Sequence, residues 1–266
     1  MRATPASPST ARARLREQQN REALRNYRLH IAAKGVGLCV ALATVIGISI
    51  VLQWRAADEG PVVAPVGVVG DGGLLIPVGR KDAPVVLTVY EDARCPGCAQ
   101  LEKTLHTTIN RLEDEGLLRV EYHVLSFVDR IVGGKGSKVA ANALAAAQDA
   151  GRFREFHDVL FAHPPAEEST DVFADRNFLL KLAGQIPGLR STEFDKAVAG
   201  DAHSGWVKAV QGQFDQQTDI QATPAVLLDG KDLVRDQDHP LSSERLVELV
   251  NEAVTRKGPA AAPTGP

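Results

Sequence analysis

Gly35 to Leu52 runs for eighteen residues without a charge, GVGLCVALATVIGISIVL, close to the length that crosses the hydrocarbon layer of a bilayer. A buried amphipathic helix would show a polar position every third or fourth residue, and only Thr44 and Ser49 interrupt this run. The pattern therefore predicts one membrane span, with Cys39 as a small apolar member of it. A cleaved signal peptide is the nearest alternative, because Arg55-Ala56-Ala57 offers small residues. The apolar core of such a peptide is ordinarily about 7–15 residues, so an uncleaved anchor is favoured. Met1 to Lys34 carries seven Arg and one Lys against Glu17 and Glu22, whereas Asp58 and Glu59 follow the run. The positive-inside rule then puts residues 1–34 in the cytoplasm and everything after Trp54 on the other side.

The early Pro, Ser and Thr of the basic head argue for a solvated arm rather than a packed fold. The formal net charge of -3 gives no whole-chain footprint for nucleic acid. Gln53 to Gly73 holds Pro61, Pro65 and five Gly without helical periodicity and reads as a linker, 53–73, tethering the rest of the chain to the bilayer. One globular domain, 74–257, is expected next, and 258–266 reads as a disordered Pro/Ala-rich tail. No internal repeat interrupts this order.

Within that domain Leu74–Val78 suits a short edge strand, because Pro77 lacks a backbone donor. Val85-Val86-Leu87-Thr88-Val89-Tyr90 is a nearly continuous β-branched run, suited to a central strand buried on both faces. Leu101, Leu105, Ile109 and Leu112 then recur at helical spacing, with Glu102, Lys103, Arg111 and Glu113 between them, until Gly116 stops the helix. Leu117 to Phe127 reads as a second strand, making a parallel strand–helix–strand unit. From about 137 to 217 the strand signal gives way to short helices: Val139–Ala150, Phe153–Phe161, Val172–Ala183, Phe194–Ala199 and Trp206–Phe214. Strand signal returns at Ala225–Leu228, and Asp229-Gly230 turns it toward a partner near Leu233-Val234. Ser242 opens a last helix through Thr255. The class is α/β with an inserted helical subdomain.

Cys95 and Cys98 are the only cysteines after the apolar run. A structural zinc site on this pair would need two further soft ligands, and no second CxxC and no HxxxH spacing exists among the seven His, so no metal ligand set is assigned. A purely structural disulfide is an alternative, but a two-residue loop constrains little of the unfolded chain. The position is more telling: between a buried strand and a helix start, Cys95 meets free amide N–H groups and the positive end of the helix dipole, which favour thiolate. Cys98, a turn further on, is shielded and suits a resolving role. Gly133-Gly134-Lys135-Gly136-Ser137 lacks the spacing of a phosphate-binding loop, and His157, His163, Trp206 and Phe214 read as core or surface residues rather than ligands.

Cys95-Pro96-Gly97-Cys98 after a β-branched strand, a long helical insertion, and Thr223-Pro224 before a terminal strand together resemble the DsbA-like branch of the thioredoxin superfamily. Asp82-Ala83-Pro84-Val85 and Tyr90-Glu91-Asp92 look like that family's lead-in, and the likeness covers about Gly72 to Thr255. The resemblance implies a thioredoxin-like fold, a cis bond before Pro224, and substrate contact through Pro96, Gly97, Thr223 and Pro224. It implies thiol–disulfide exchange on exported cysteine-containing proteins, with no cofactor and with a membrane quinone-linked oxidase as redox partner. Two departures stand out. The buried acid often found six positions before the first Cys is Val89 here, leaving Glu91 and Asp92 as proton-transfer candidates, although Asp92 reads equally well as a loop residue bonding its own backbone. Gly97 stands where strongly oxidising relatives often carry a His. Oxidase is favoured over reductase or isomerase, and a tethered peptide-binding module with a static disulfide is the alternative from another class.

Overall fold

The computed structural model describes residues 62–236 and 239–257. The basic head, the apolar run Gly35–Leu52, the linker up to 61 and the tail 258–266 lie outside the described residues. Among the described residues no helix is long and apolar enough to cross a membrane.

Five strands form one sheet in the order β1-β3-β2-β4-β5. They are β1 Ile76–Gly79, β2 Val85–Glu91, β3 Leu118–Val124, β4 Ala225–Leu228 and β5 Lys231–Asp232. The β-branched run makes β2 the middle strand, parallel to β3 from Val85 opposite Leu118 to Glu91 opposite Val124. On its other side β2 is antiparallel to β4, with Tyr90 opposite Ala225. β1 lies on the edge, antiparallel to β3, where Pro77 costs no ladder bond. Burial of β2 alternates at first and becomes continuous from Val89 to Glu91, so full enclosure is confined to the end that carries the next loop.

α1 (Pro96–Asp114) joins β2 to β3 and packs against α8 (Ser243–Lys257). Leu105, Ile109 and Leu112 are buried as the spacing requires, but so are Glu102 and Glu113, which the sequence pattern puts on the solvent side. The helix ends as Gly116 takes a φ of 71°. Leu117 N–H then reaches Leu112 O at 3.0 Å and Gly116 N–H reaches Glu113 O at 2.9 Å, satisfying two free carbonyls.

The insertion between β3 and β4 starts earlier than expected, with a short α2 (Phe127–Val132), followed by α3 (Gly136–Asp149), α4 (Phe153–Phe161), α5 (Arg176–Ala183), α6 (Thr192–Ala199) and α7 (Ser204–Gln216). α3 packs against α4, α6 and α7, and Val139–Ala147 is buried without a break. Its alanines permit this, since a helix enclosed all round needs an apolar surface on every side.

Two further expectations are corrected. β5 pairs at Lys231–Asp232 rather than Leu233-Val234, because Asp229 (φ 48°) and Gly230 (φ 84°) make a two-residue turn that brings Lys231 opposite Leu228 at once. Residues 62–73, read as tether, are tied down. Val66 N–H donates to Asp149 Oδ1 at 2.7 Å, Trp206 Nε1–H to Gly73 O at 2.8 Å, and His203 Nδ1 lies 2.8 Å from Val63 O. Backbone satisfied by distant side chains leaves no periodic trace in its own sequence.

Candidate active site

The end of β2, the loop Asp92–Arg94 and the first turn of α1 carry the two cysteines. Cys95 is the N-cap of α1 in extended conformation, with Pro96 in the first turn, where its missing N–H costs nothing. Cys95 keeps 8% of its surface exposed and Cys98 keeps 0%, and both are free thiols. Pro96 and Gly97 face solvent. The Thr223-Pro224 peptide is cis. It stands directly against the cysteines: Cys95 Sγ is 3.5 Å from Thr223 O, and a methyl added at Gly97 would lie 3.0 Å from Pro224 Cδ and 3.7 Å from Cys95 Sγ. The structure thus brings Cys95, Cys98, Gly97, Thr223 and Pro224 together.

The two sulfurs differ in their electrostatics. The Cys95 thiol is lowered to about 6, first by the hydrogen bond from the Cys98 thiol, against the opposing effect of burial, and then by Thr223 and the backbone N–H groups of Cys98 and Gly97. The buried Thr223 hydroxyl has no hydrogen-bond partner. Burial raises Cys98 well above the ordinary thiol value, and Cys95 and Glu91 add to this. The Asp92 backbone N–H, 3.5 Å from Cys98 Sγ, works in the other direction.

The proton-transfer candidates occupy less direct positions. Asp92 Oδ1 accepts from Arg94 N–H at 2.8 Å and Oδ2 from Val128 N–H at 2.9 Å, so its carboxylate organises the loop, in line with the plainer reading of this residue. Burial nevertheless raises it to about 6 against those bonds. Glu91 Oε1 meets His157 Nε2 at 2.8 Å, both side chains being buried. Burial alone would lower His157, but Glu91, Asp158 and Glu102 outweigh it and hold the imidazole well above its usual value. Val89 is buried apolar packing.

Three participants escaped the sequence. Arg94, next to Cys95, is fully enclosed: its guanidinium contacts Asp129 at 2.6 Å, Asp171 at 3.2 Å, Gly133 O at 2.9 Å and Glu168 O at 3.0 Å. The same two carboxylates accept from the N–H groups of Lys135, Gly136, Ser137 and Lys138 at the start of α3. Gly136 is required there, because a methyl would meet Asp171 Oδ1 at 2.3 Å. Glu102 lies one turn beyond Cys98 on the buried face of α1, where burial, with Glu91 adding to it and His157 opposing, raises it to about 8. The four-residue spacing from Cys98 was the available signal. His157 is the third, and its position 66 residues from Glu91 left none.

The family described as Thioredoxin matches residues 74–252. Disulfide bond formation protein D of Bacillus subtilis (strain 168) is 26% identical over 157 residues, covering 58% of this chain and 67% of that protein. A shorter match, 36% identical over 85 residues, covers 32% of this chain and only 12% of the Na(+)/H(+) antiporter NhaA 1 of Salinispora arenicola (strain CNS-205). Among solved structures, reduced DsbA from Mycobacterium tuberculosis has the same fold, with a TM-score of 0.57 over 71% of this chain and 94% of that one at 22% identity. The chain belongs to the thioredoxin family and is a thiol–disulfide oxidoreductase.

Proposed function

We propose that the Cys95–Cys98 pair acts outside the cytoplasm as a disulfide donor to exported cysteine-containing proteins, held at the membrane by Gly35–Leu52. The observation that carries this reading is the lowered Cys95 thiol, at about 6, in front of the enclosed Cys98. A stabilised thiolate favours the reduced enzyme and so makes the disulfide a stronger oxidant. In the oxidised state a substrate thiolate attacks Cys95 Sγ, the Cys95–Cys98 bond breaks, and Cys98 leaves with the electron pair and takes up a proton. A second substrate thiolate then attacks the substrate sulfur of the mixed disulfide, and Cys95 departs as thiolate. The substrate loses two electrons and the enzyme gains them as a dithiol. Thr223, with its carbonyl 3.5 Å from Cys95 Sγ, and Pro224 receive the extended substrate strand, with Pro96 and Gly97 as the exposed rim. A quinone-linked membrane oxidase suits the return of the dithiol to disulfide.

One experiment tests chemistry and location together. In cells producing Cys98→Ser, the lone Cys95 thiolate can still attack a disulfide already present in an exported protein and release one substrate thiolate, so mixed disulfides are expected to accumulate, to be absent in Cys95→Ser, and to be digested by protease added outside sealed spheroplasts. Equal trapping by both variants would overturn the roles of the two sulfurs, and protection from protease would overturn the orientation. A midpoint potential nearer about -120 mV supports oxidation, whereas one near about -270 mV assigns reduction.

A further inference from the structure

Behind Cys98 lies a buried cluster in which no bond of the exchange reaction is made or broken. Glu91 comes from the end of β2, Glu102 from α1 and His157 from α4, and one ligand atom from each lies within 4.8 Å of the others. Each of the three side chains is at most 3% exposed. Glu91 Oε2 and Glu102 Oε1 have no hydrogen-bond partner, and neither does either oxygen of neighbouring Glu113. Buried carboxylate oxygens without partners are rare in folded proteins and call for a missing donor or ion. The surrounding charge points the same way. Asp158 adds a fourth carboxylate 3.6 Å from His157, and among the described residues the cations in contact are His157 itself and Arg154, which is 3.6 Å from Glu113.

We propose that Glu91, Glu102 and His157 bind one divalent transition-metal ion of the zinc class, with a fourth position left for water. Zinc takes such nitrogen and carboxylate donors at about 2.0–2.2 Å, which sets tetrahedral ligand atoms roughly 3.4 Å apart. The 2.8 Å between His157 Nε2 and Glu91 Oε1 must then open by about 0.6 Å as the ion replaces the shared proton. The orienting shell already exists: His157 Nδ1 faces Asp158 Oδ1, and Asp158 Oδ2 accepts from Asn110 Nδ2 at 2.8 Å. A cavity of about 370 Å³ lined by Glu102 and Asp158 also touches exposed Lys103, Ala162 and Pro164, so one side of the cluster borders a space open to the surface. Calcium is disfavoured, since it requires six to eight oxygen ligands.

The site is formed without either cysteine, so the test uses the full chain with Cys95 and Cys98 joined as a disulfide. Zinc(II) is titrated in competition with a chromophoric chelator, and cobalt(II) serves as a spectroscopic probe. Expected are one zinc ion per chain, a cobalt spectrum with visible d–d bands but no thiolate charge-transfer band, and affinity at least about tenfold weaker in Glu102→Gln and in Glu91→Gln. The exposed Glu155→Gln should bind like the parent. Circular dichroism checks that each variant is folded, and if one is not, the other together with the parent stoichiometry decides. Failure of the oxidised parent to bind zinc, or undiminished affinity in a folded Glu→Gln variant, would overturn the site without touching the exchange reaction.

Discussion

At the start of α1, Cys95 retains 8% of its surface and faces the Thr223 carbonyl, whereas Cys98, three residues on, retains none and faces the Asp92 backbone N–H. Both share one helix and one dipole. What separates them is which side of the turn each sulfur occupies: toward a loop that brings several donors and solvent, or toward a core that brings one backbone N–H and no solvent. Burial acts on both, but at Cys95 it is outweighed by hydrogen bonds to the anion, and at Cys98 it is the largest influence. A helix N-terminus alone therefore does not make a reactive thiol.

The strongest way to break this comparison is to measure the two thiols singly. At pH 7 a thiol titrating near 6 is mostly thiolate, while one well above 9 is under about 1% so. Iodoacetamide should therefore alkylate Cys95 in Cys98→Ser, where the Ser hydroxyl can take over the hydrogen bond from position 98, at least about tenfold faster than Cys98 in Cys95→Ser, with the rate for Cys95 falling as pH drops. Removing Cys95 relieves part of the elevation at Cys98 but leaves its burial, so the asymmetry should survive. Rates within tenfold of each other would mean that position in the turn does not set reactivity.

The next effect concerns how firmly the turn is held. Arg94→Met leaves Asp129, 9% exposed, and Asp171 without their guanidinium and unstitches the loop before Cys95 from the start of α3. Breaking a buried ion pair on one side costs about 3–5 kcal/mol, and the lower end is expected here because Asp171 reaches water. Urea unfolding measures it. A loss below about 1 kcal/mol would show that the network is dispensable, because exposed pairs contribute no more than that.

These elements also mark where the sequence was legible. β2, the CxxC turn, α1 and the Thr223-Pro224 element follow from local patterns: a β-branched run, a four-residue motif, a helical repeat, a dipeptide before a strand. Arg94 meets Asp129 across 35 residues, Glu91 meets His157 across 66, and Val63 meets His203 across 140. Nothing in a local window encodes such pairings. Glu102 shows the converse error, since a helical repeat marks charged positions as outward unless a partner across the core holds them in.

A smaller effect sharpens the contrast between the reduced and oxidised states. Cys95 is lowered only in the folded dithiol, so the stabilisation it adds is complete above the unfolded thiol value near 9 and is lost as pH falls through about 6. The acids and histidines nearby titrate in both redox forms and largely cancel in the difference. Denaturation of both forms should show the reduced protein gaining about 1–2 kcal/mol over the oxidised one between pH 5 and pH 8, after allowance for solvent screening. A difference independent of pH would place the redox bias elsewhere than in the thiolate.

The smallest change tests how closely Cys95 and the Pro224 loop must approach. Replacing Gly by Ala inside a helix ordinarily stabilises by about 0.5–1 kcal/mol through lost backbone entropy in the unfolded chain. At position 97 the new methyl would lie 3.0 Å from Pro224 Cδ, tighter than ordinary contact, and 3.7 Å from Cys95 Sγ. The two terms oppose each other, so the melting temperature of Gly97→Ala should move by less than the equivalent of about 1 kcal/mol. Exchange with a reduced substrate should instead slow several-fold, because the methyl intrudes where the substrate strand and Cys95 meet. A clear gain in stability with exchange unchanged would mean that the Thr223-Pro224 loop yields to the methyl, and that the approach of Cys95 to this loop is looser than the distances suggest.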